Sequence, residues 1–411
     1  MSISLSQLDR SSPTSAAERL AAARAQTDAL FSVLLPEALY VRPIAERHRL
    51  IFYLGHLEAF DWNLIGRETL GAPPLDAAFD KLFAFGIDPE PGQLPSDEPH
   101  DWPSVEHVLD YSREVRRVVD GLLPDVAEQI RQVAIEHRLM HAETLAYLFH
   151  GLPYELKQRV ENKPVRATFR PAKEMIRIPA GTATLGQDPE QFGWDNEFAQ
   201  HRVNVPAFKV SRHKVTNGDY LRLVESGLGA PHFWTKQGGN WMLRCMFETI
   251  PLPLEWPVYV TQAEAKAYAA RCGKSLLTEA QFHRAAYGTR EGTERSFPWG
   301  EDEPTSAHGN FNFARWDPVS VTAHPAGDSA FGVSQMVGNG WEWTSTPFAP
   351  FAGFEPFAFY PGYSANFFDN AHFVLKGASP QTAETFLRRS FRNWFRSNYP
   401  YVYAGFRLVE N

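Results

Sequence analysis

Ala134-Ile-Glu-His137-Arg-Leu-Met-His141-Ala-Glu143-Thr-Leu-Ala-Tyr-Leu148 decides how the first part of this chain reads. Apolar residues recur there at helical spacing, and among them sits the pattern HxxxHxE. Residues four apart on a helix stack on one face. His137 and His141 could therefore grip a single metal ion. A third histidine, His56 in Tyr53-Leu-Gly-His-Leu-Glu58, lies upstream in another apolar-periodic segment. Three neutral imidazoles around a metal with open positions suit catalysis, because the vacant sites take substrate or dioxygen. The same spacing also decorates helix surfaces, so the motif alone leaves both readings open.

Outward from this stretch the first 150 residues or so read as helical. Ser15-Ala-Ala-Glu18 has the form of a capping box before an Ala/Leu-rich run to about Leu35. His48 to Leu64 is apolar at helical spacing. A third helix is predicted from about Ser104 to Leu123, and a fourth from Pro124 to His150. Four such segments predict an antiparallel four-helix bundle, a fold whose core commonly hosts metal sites built from facing helices. Between the second and third helices runs a Pro-rich loop, Phe85 to Pro103. It carries Asp88, Glu90, Asp97, Glu98 and Asp101 but neither Lys nor Arg. Loops this long inside compact domains are often functional, although a solvated connector is an equally good reading of any one residue.

Composition narrows the class. The chain has 411 residues, room for two or three domains. Its net charge of −8 offers no basic excess for phosphate contacts, which argues against nucleic acid as a partner. Cys245 and Cys272 are the two cysteines, too few for a disulfide framework, so a reducing, cytoplasmic setting is expected. No apolar run reaches the length of a membrane span, and Met1-Ser-Ile-Ser-Leu-Ser-Gln7 lacks the basic and apolar regions of a signal peptide.

From Leu156 to Lys173 the chain is mostly polar and reads as a linker between domains at 1–165 and 175–411. Beyond it Gly, Pro and aromatics increase. Met175 to Gly186 predicts a hairpin around Pro179-Ala-Gly181. Helices are predicted at Asn217 to Glu225, Thr261 to Arg271 and from Thr278 onward, among short strands and loops. The expected class is α+β.

The second half resembles the formylglycine-generating-enzyme (sulfatase-modifying-factor) domain, a loop-rich variant of the C-type lectin fold. The resemblance rests on Ile178-Pro-Ala-Gly181, Val215-Thr-Asn217, Pro257-Val258, Leu277-Thr-Glu279, Gly338-Asn-Gly-Trp-Glu-Trp343 and Ala404-Gly-Phe-Arg407. The generating enzymes use a cysteine pair near the C-terminal end. No Cys follows Cys272 here, so that activity is not expected. The helical half, with a His on helix two and HxxxHxE later, resembles the DinB-like domain. The combination is similar to the non-heme iron sulfoxide synthases of ergothioneine and ovothiol biosynthesis and their selenoneine-forming relatives.

That resemblance implies Fe(II) held by His56, His137 and His141, with Glu143 as a partner of the site and O2 as co-substrate. It implies sulfur or selenium joined to C2 of the imidazole of hercynine, trimethylated histidine. Tyr360, and after it Tyr363, correspond to the tyrosine that supplies a proton or electron; aromatic packing is the competing reading. Asn393 and Trp394 correspond to residues contacting hercynine, whereas Trp341 and Trp343 read as domain core. The donor is where this sequence departs from the family pattern. Members using γ-glutamylcysteine carry arginines in the loop before helix three and an Asp and an Arg after Asn-Trp. Here the loop has no basic residue, Phe395 and Tyr399 stand at the latter positions, and Met140 replaces a Gln. Carboxylates accept hydroxyl protons and Trp stacks on sugar faces, which points to a selenosugar. Arg389 and Arg396 keep an anionic donor, γ-glutamylcysteine or cysteine, open. A zinc-dependent transferase of the bundle type and a non-enzymatic binding module are the competing functions.

Overall fold

The computed structural model describes residues 15–87, 93–158, 160 and 173–411. Most of the expected linker, the first residues of the chain and the centre of the acidic loop lie outside the described residues. The chain divides into two compact units, Met1–Glu161 and Asn162–Asn411. The first is helical and the second mixes helices with small sheets, an α+β protein. Among the described residues no helix is long and apolar enough to cross a membrane.

The first unit holds α1 (Ala16–Phe31), α2 (Leu50–Asp61), α3 (Ala77–Phe85), α4 (Val105–Leu122) and α5 (Glu128–Gly151). Ser15 and Glu18 form the reciprocal capping box at α1, and the Ser104 hydroxyl caps α4. α1 stops at Phe31, short of the predicted Leu35, because the chain turns away to pair elsewhere. The Leu35 N–H donates to Leu156 O at 3.0 Å, and Gln158 N–H to Val33 O at 2.7 Å. Pro124 lies in a 3₁₀ turn ahead of α5 rather than inside it. α2 runs on into a π-helix, Trp62–Thr69, where Gly66 sits against the Trp62 ring.

α3 departs from the four-helix expectation. Asp76 caps it by accepting from the N–H groups of Ala78 and Phe79. Buried Asp80 then fixes its place, accepting from the Trp62 indole, the Tyr111 hydroxyl and the Leu75 N–H. Phe83, fully buried, lies against Gly55 of α2.

The bundle interior carries charge. The Arg138 guanidinium of α5 donates to Glu58 and Asp61 of α2, at 2.8 Å each, and to Leu57 O at 2.9 Å. Arg116 of α4 reaches Glu58 at 2.7 Å, and Arg24 of α1 stands 3.9 Å from both carboxylates. Burial alone would raise the Glu58 carboxyl, but Arg138, Arg116 and Arg24 outweigh it and hold it below its usual range.

In the second unit β1 (Met175–Ile178) and β2 (Gly181–Leu185) do not form the predicted hairpin. β2 pairs antiparallel with β3 (His201–Val205), and β1 with β4 (Phe208–Ser211). Pro179 has no N–H to continue a ladder, and Ile178, Ala183, Leu185, Phe208 and Val210 instead face one shared core. Next come α6 (Asn217–Glu225), a three-stranded sheet of β5 (Trp234–Gln237), β6 (Asn240–Arg244) and β7 (Thr249–Pro251), then α7 (Gln262–Arg271) and α8 (Glu279–Tyr287). Thr216, Thr261 and Thr278 cap the three helices, which fall where the sequence placed them. β8 (Gly340–Pro347), β9 (His372–Ala378), β10 (Asn393–Arg396) and β11 (Ala404–Gly405) form a sheet in the order β10-β9-β8-β11. β12 (Val409–Glu410) joins β4.

Glu342 of β8 gathers three distant segments. It accepts from Lys214 at 2.8 Å and from the Arg407 Nε at 2.8 Å, all three side chains being buried. The neighbouring Gly405 must be glycine, since a Cβ there would lie 2.9 Å from Val258 O.

Two outcomes follow for the bundle. Arg138→Met leaves Asp61 and much of Glu58 as uncompensated buried charge and should cost about 3 kcal/mol in denaturant unfolding. A loss below about 1 kcal/mol would show the network to be incidental. Gly55→Ala places a Cβ 2.5 Å from the Phe83 ring and should destabilise by about 1–3 kcal/mol through overpacking, with Gly121→Ala on open α4 surface as the near-neutral control.

Candidate functional site

His137 and His141 lie one turn apart on α5, and α2 brings His56 to them. One nitrogen from each ring falls within 4.8 Å of the other two. Ring centroids are 5.3 Å apart for His56–His137, 4.9 Å for His56–His141 and 4.5 Å for His137–His141. Among the described residues this is the group of metal-ligating side chains close enough to share one ion.

The surroundings orient each ring. His56 Nδ1 lies 2.6 Å from Phe83 O. That carbonyl belongs to the last turn of α3, where helical C=O groups lack intrahelical partners. The neutral tautomer that donates Nδ1–H to it leaves the Nε2 lone pair for a metal. Phe52 stacks on His56 at 4.8 Å, and Phe60 on His137 at 3.4 Å with planes 9° apart. Tyr53 stands 5.9 Å from His141.

Electrostatics keep the three rings uncharged. Burial pushes His56 down to about 4, against the opposing pull of the Phe83 carbonyl. Burial, then the neighbouring histidines, hold His137 and His141 well below the usual imidazole range, and Arg47 adds to the effect on His141. Neutral imidazole is the form that ligates a metal. The buried His141 Nδ1 meets no hydrogen-bond partner among the described residues, although buried polar atoms are usually satisfied. Three imidazoles with one nitrogen each within reach of a common point fit a first-row divalent ion such as Fe(II) or Zn(II).

Met140 is half-buried and, three residues after His137, shares its helix face. Glu143 follows His141 by two positions, which turns it about 200° around the helix, and it is outside the cluster.

Within the described part of the acidic loop Asp97 and Trp102 turn inward, while most of the other residues are exposed. Asp97 is buried and accepts from Arg42, from Arg49 Nε at 3.0 Å and from the Trp102 indole at 2.7 Å. The arginines missing from the loop come from the segment before α2. Asp97 and Trp102 therefore spend their polar groups on each other and on the protein. Of the other carboxylates described in the loop, Glu98 and Asp101 are exposed.

In the second unit Tyr360 and Tyr363 have ring centroids 5.6 Å apart, and Tyr363 sets its edge to Trp394 at 5.3 Å. Tyr363 also stacks on buried Trp194 at 4.0 Å. Burial, with the Asp195 charge second, pushes the Tyr360 phenol up to about 12, so it stays protonated near neutrality. Asn393 and Trp394 are consecutive on β10 and so face opposite ways. Trp394 packs on Phe348 at 4.3 Å, while the Asn393 side-chain oxygen takes the Trp394 N–H at 2.8 Å. Phe395 stacks on Tyr399 at 4.9 Å. Arg396 is exposed, and Arg389 reaches Glu294 at 3.3 Å. Trp341 and Trp343 are buried in the core as expected.

Four features went unread in the sequence: the Phe83 carbonyl, the Phe60 ring, Arg47 and Asp195. Asp76 followed by Phe79, Leu82 and Phe83 was a usable helix signal. The others are tertiary contacts with no local signature.

Residues 160–411 match the sulfatase-modifying factor enzyme 1-like domain, and residues 19–160 match the DinB superfamily. Ergothioneine biosynthesis protein 1 of Neurospora crassa is 28% identical over 93% of this chain and 56% of that protein. A hercynine oxygenase of Mycobacterium tuberculosis is 38% identical over 55% of this chain and 58% of that protein. The formylglycine-generating enzyme of Bos taurus is 29% identical over 43% of this chain and 58% of that protein. The chain thus spans little more than half the length of these relatives. The first of these domain matches covers more than half of the chain, and the chain belongs to the sulfatase-modifying factor enzyme 1-like family.

Proposed function

We propose that this protein is an Fe(II)- and O2-dependent enzyme that forms a carbon–selenium bond at C2 of the hercynine imidazole, with a selenosugar as donor. The observation that carries the reading is the cluster of His56, His137 and His141, one nitrogen of each close enough to share a single ion, in a chain similar to proteins named for ergothioneine biosynthesis and hercynine oxygenation. Replacing the C2 hydrogen by selenium or sulfur withdraws two electrons from the substrates, and O2 is the oxidant. Fe(II) bound by the three histidines would supply the redox chemistry that brings O2 into the reaction. The proposal gives metal binding to a domain at 1–165 and hercynine recognition to a domain at 175–411, in a reducing cytoplasmic setting.

The chain's own residues have separable tasks. The Phe83 carbonyl holds the His56 tautomer, and Phe60 holds the plane of His137. Glu143, on another face of α5, is assigned a structural supporting role to the site. Tyr360, protonated at neutral pH, holds the proton to be delivered, with Tyr363 as the second choice. Asn393 and Trp394 are assigned to hercynine, whose quaternary ammonium favours aromatic faces and amide oxygens. Phe395, stacked on Tyr399, offers a flat apolar wall suited to a sugar, and Met140 and Arg396 are assigned to the donor side. The arginines that could clamp a dicarboxylate are largely committed, Arg42 and Arg49 to Asp97 and Arg389 to Glu294.

One observation favours a second donor class. Arg47 lies close enough to His141 to disfavour its protonation, and its guanidinium is 3.5 Å from the Tyr147 hydroxyl. A positive charge this close to His141 favours an anionic donor, γ-glutamylcysteine or cysteine, by its field, whatever else Arg47 bonds to.

Protein purified without chelators should carry iron at about one equivalent per chain, measured by plasma mass spectrometry. His56→Ala, His137→Ala and His141→Ala should each lose it while keeping the unfolding midpoint of metal-free protein. Zinc content with O2-independent turnover would favour a transferase, and no metal with no product from any donor would sink the enzyme reading. Anaerobic protein given hercynine, then air and each donor in turn, should turn over the selenosugar with kcat/KM at least about tenfold above γ-glutamylcysteine or cysteine. The reverse order, with KM for the thiol raised by Arg47→Met, would move the donor to the anionic class.

A further inference from the structure

The segment Trp194-Asp195-Asn196-Glu197 has no role in the functional reading so far, yet it touches both stretches assigned to hercynine chemistry. Trp194, fully buried, stacks on Tyr363 at 4.0 Å and lies 6.5 Å from the Tyr360 ring and 6.3 Å from the Phe357 ring. The Asp195 carboxylate, also buried, accepts from the Ser364 hydroxyl at 2.6 Å. Phe357 and Ser364 bracket the turns that carry the tyrosines, where Tyr360 N–H donates to Phe357 O at 3.0 Å and Tyr363 N–H to Tyr360 O at 3.2 Å.

The other end of the segment is anchored in turn. Buried Glu197 accepts from Arg388 Nε at 2.9 Å and from the Ser390 hydroxyl at 2.7 Å, and it also takes the Trp194 N–H at 2.9 Å. Arg392 donates to Asn196 O at 3.2 Å. Arg388, Ser390 and Arg392 lead directly into β10 with Asn393 and Trp394. One four-residue turn therefore joins the 357–364 loop to the strand beside it.

We propose that Asp195 is a positioning residue: its carboxylate holds Ser364 at one end of the 357–364 loop while the adjacent Trp194 stacks on Tyr363, and together they fix the loop that carries Tyr360. The physical reason is the cost of the alternative. A buried carboxylate must find donors, and hydrogen bonds to an ionised acceptor are the strong ones. Burial of Asp195 thus draws the Ser364 hydroxyl onto it, while Trp194 packs the middle of the loop. The loop's own backbone bonds are short-range turns, and the tie anchors them to the neighbouring segment. The inference rests on the reading of Tyr360 as the proton-holding residue. The tie itself is a structural claim that can fail separately.

The test uses the full chain with Asp195→Ala, Asp195→Asn and Ser364→Ala. Hydrogen exchange of residues 357–364 should accelerate at least about tenfold in Asp195→Ala, as expected for losing a charge-assisted bond, while β8 and β9 keep wild-type protection. Tyrosine-ring carbon NMR, with Tyr360→Phe identifying the signal, should show the Tyr360 phenol ionising at lower pH in Asp195→Ala. Asp195→Asn should retain loop protection in part, since its side-chain oxygen still accepts from Ser364. Wild-type exchange and titration in Asp195→Ala would overturn the proposal. If that variant does not fold, Ser364→Ala, which removes one end of the tie and keeps the carboxylate, decides by the same exchange measurement. Product formation by Tyr360→Phe at the wild-type rate would instead overturn the role of Tyr360 and leave the tie standing.

Discussion

The Arg138 guanidinium, with no exposure to solvent, is the constraint on which the helical unit depends. A charge in an apolar interior is tolerated only if its partners are equally well placed. Here the partners are Glu58 and Asp61 of α2, with Arg24 from α1 and Arg116 from α4 around the same two carboxylates. A slip of one helix along another would strand a buried charge, so the network sets the relative register of four helices. His137 is the residue before Arg138, and His56 precedes Glu58 by two. The histidines inherit a register that apolar packing alone would specify less sharply.

A comparable device organises the second unit. The Glu342 carboxylate pairs with Lys214 and Arg407, and burial still pushes the Lys214 ammonium down to about 8 although that carboxylate opposes it. The three residues stand in or beside Val215-Thr-Asn217, Gly338-Asn-Gly-Trp-Glu-Trp343 and Ala404-Gly-Phe-Arg407. The stretches that carry the family resemblance therefore meet at one buried charge cluster. This explains why they are readable as a set and why they say little about activity: they hold the fold. The residues assigned to chemistry sit on segments with less regular structure, where Asp195 and Glu197 supply anchors that a sheet or helix would otherwise provide.

Much of the architecture was legible because its causes are local. Ser15, Ser104, Thr216, Thr261 and Thr278 each cap a helix through a bond to a backbone N–H three residues on, so helix starts could be read directly. The spacing of His137 and His141 needed only the pitch of a helix. α3 was the exception among helices, since its short run is held by Asp80 and by Phe83 against Gly55 more than by its own periodicity. The hairpin expected around Pro179-Ala-Gly181 failed for a related reason: both strands were legible, but their partners, β3 and β4, come from further along the chain.

By itself the sequence determined the approximate positions of the helices other than α3, the α+β class, the stacking of two imidazoles on α5 and the candidacy of His56. These follow from a period of 3.6 residues and from caps three residues long. Only the tertiary structure decided that the Phe83 carbonyl meets His56 Nδ1, that Arg42 and Arg49 neutralise Asp97, that Arg138 locks α5 to α2, and that Asp195 ties the Tyr360 loop. Each is a contact between polar groups distant in the chain. Such contacts have no period to read, and they form because a buried donor or acceptor left unmet would cost more than the ordering needed to meet it.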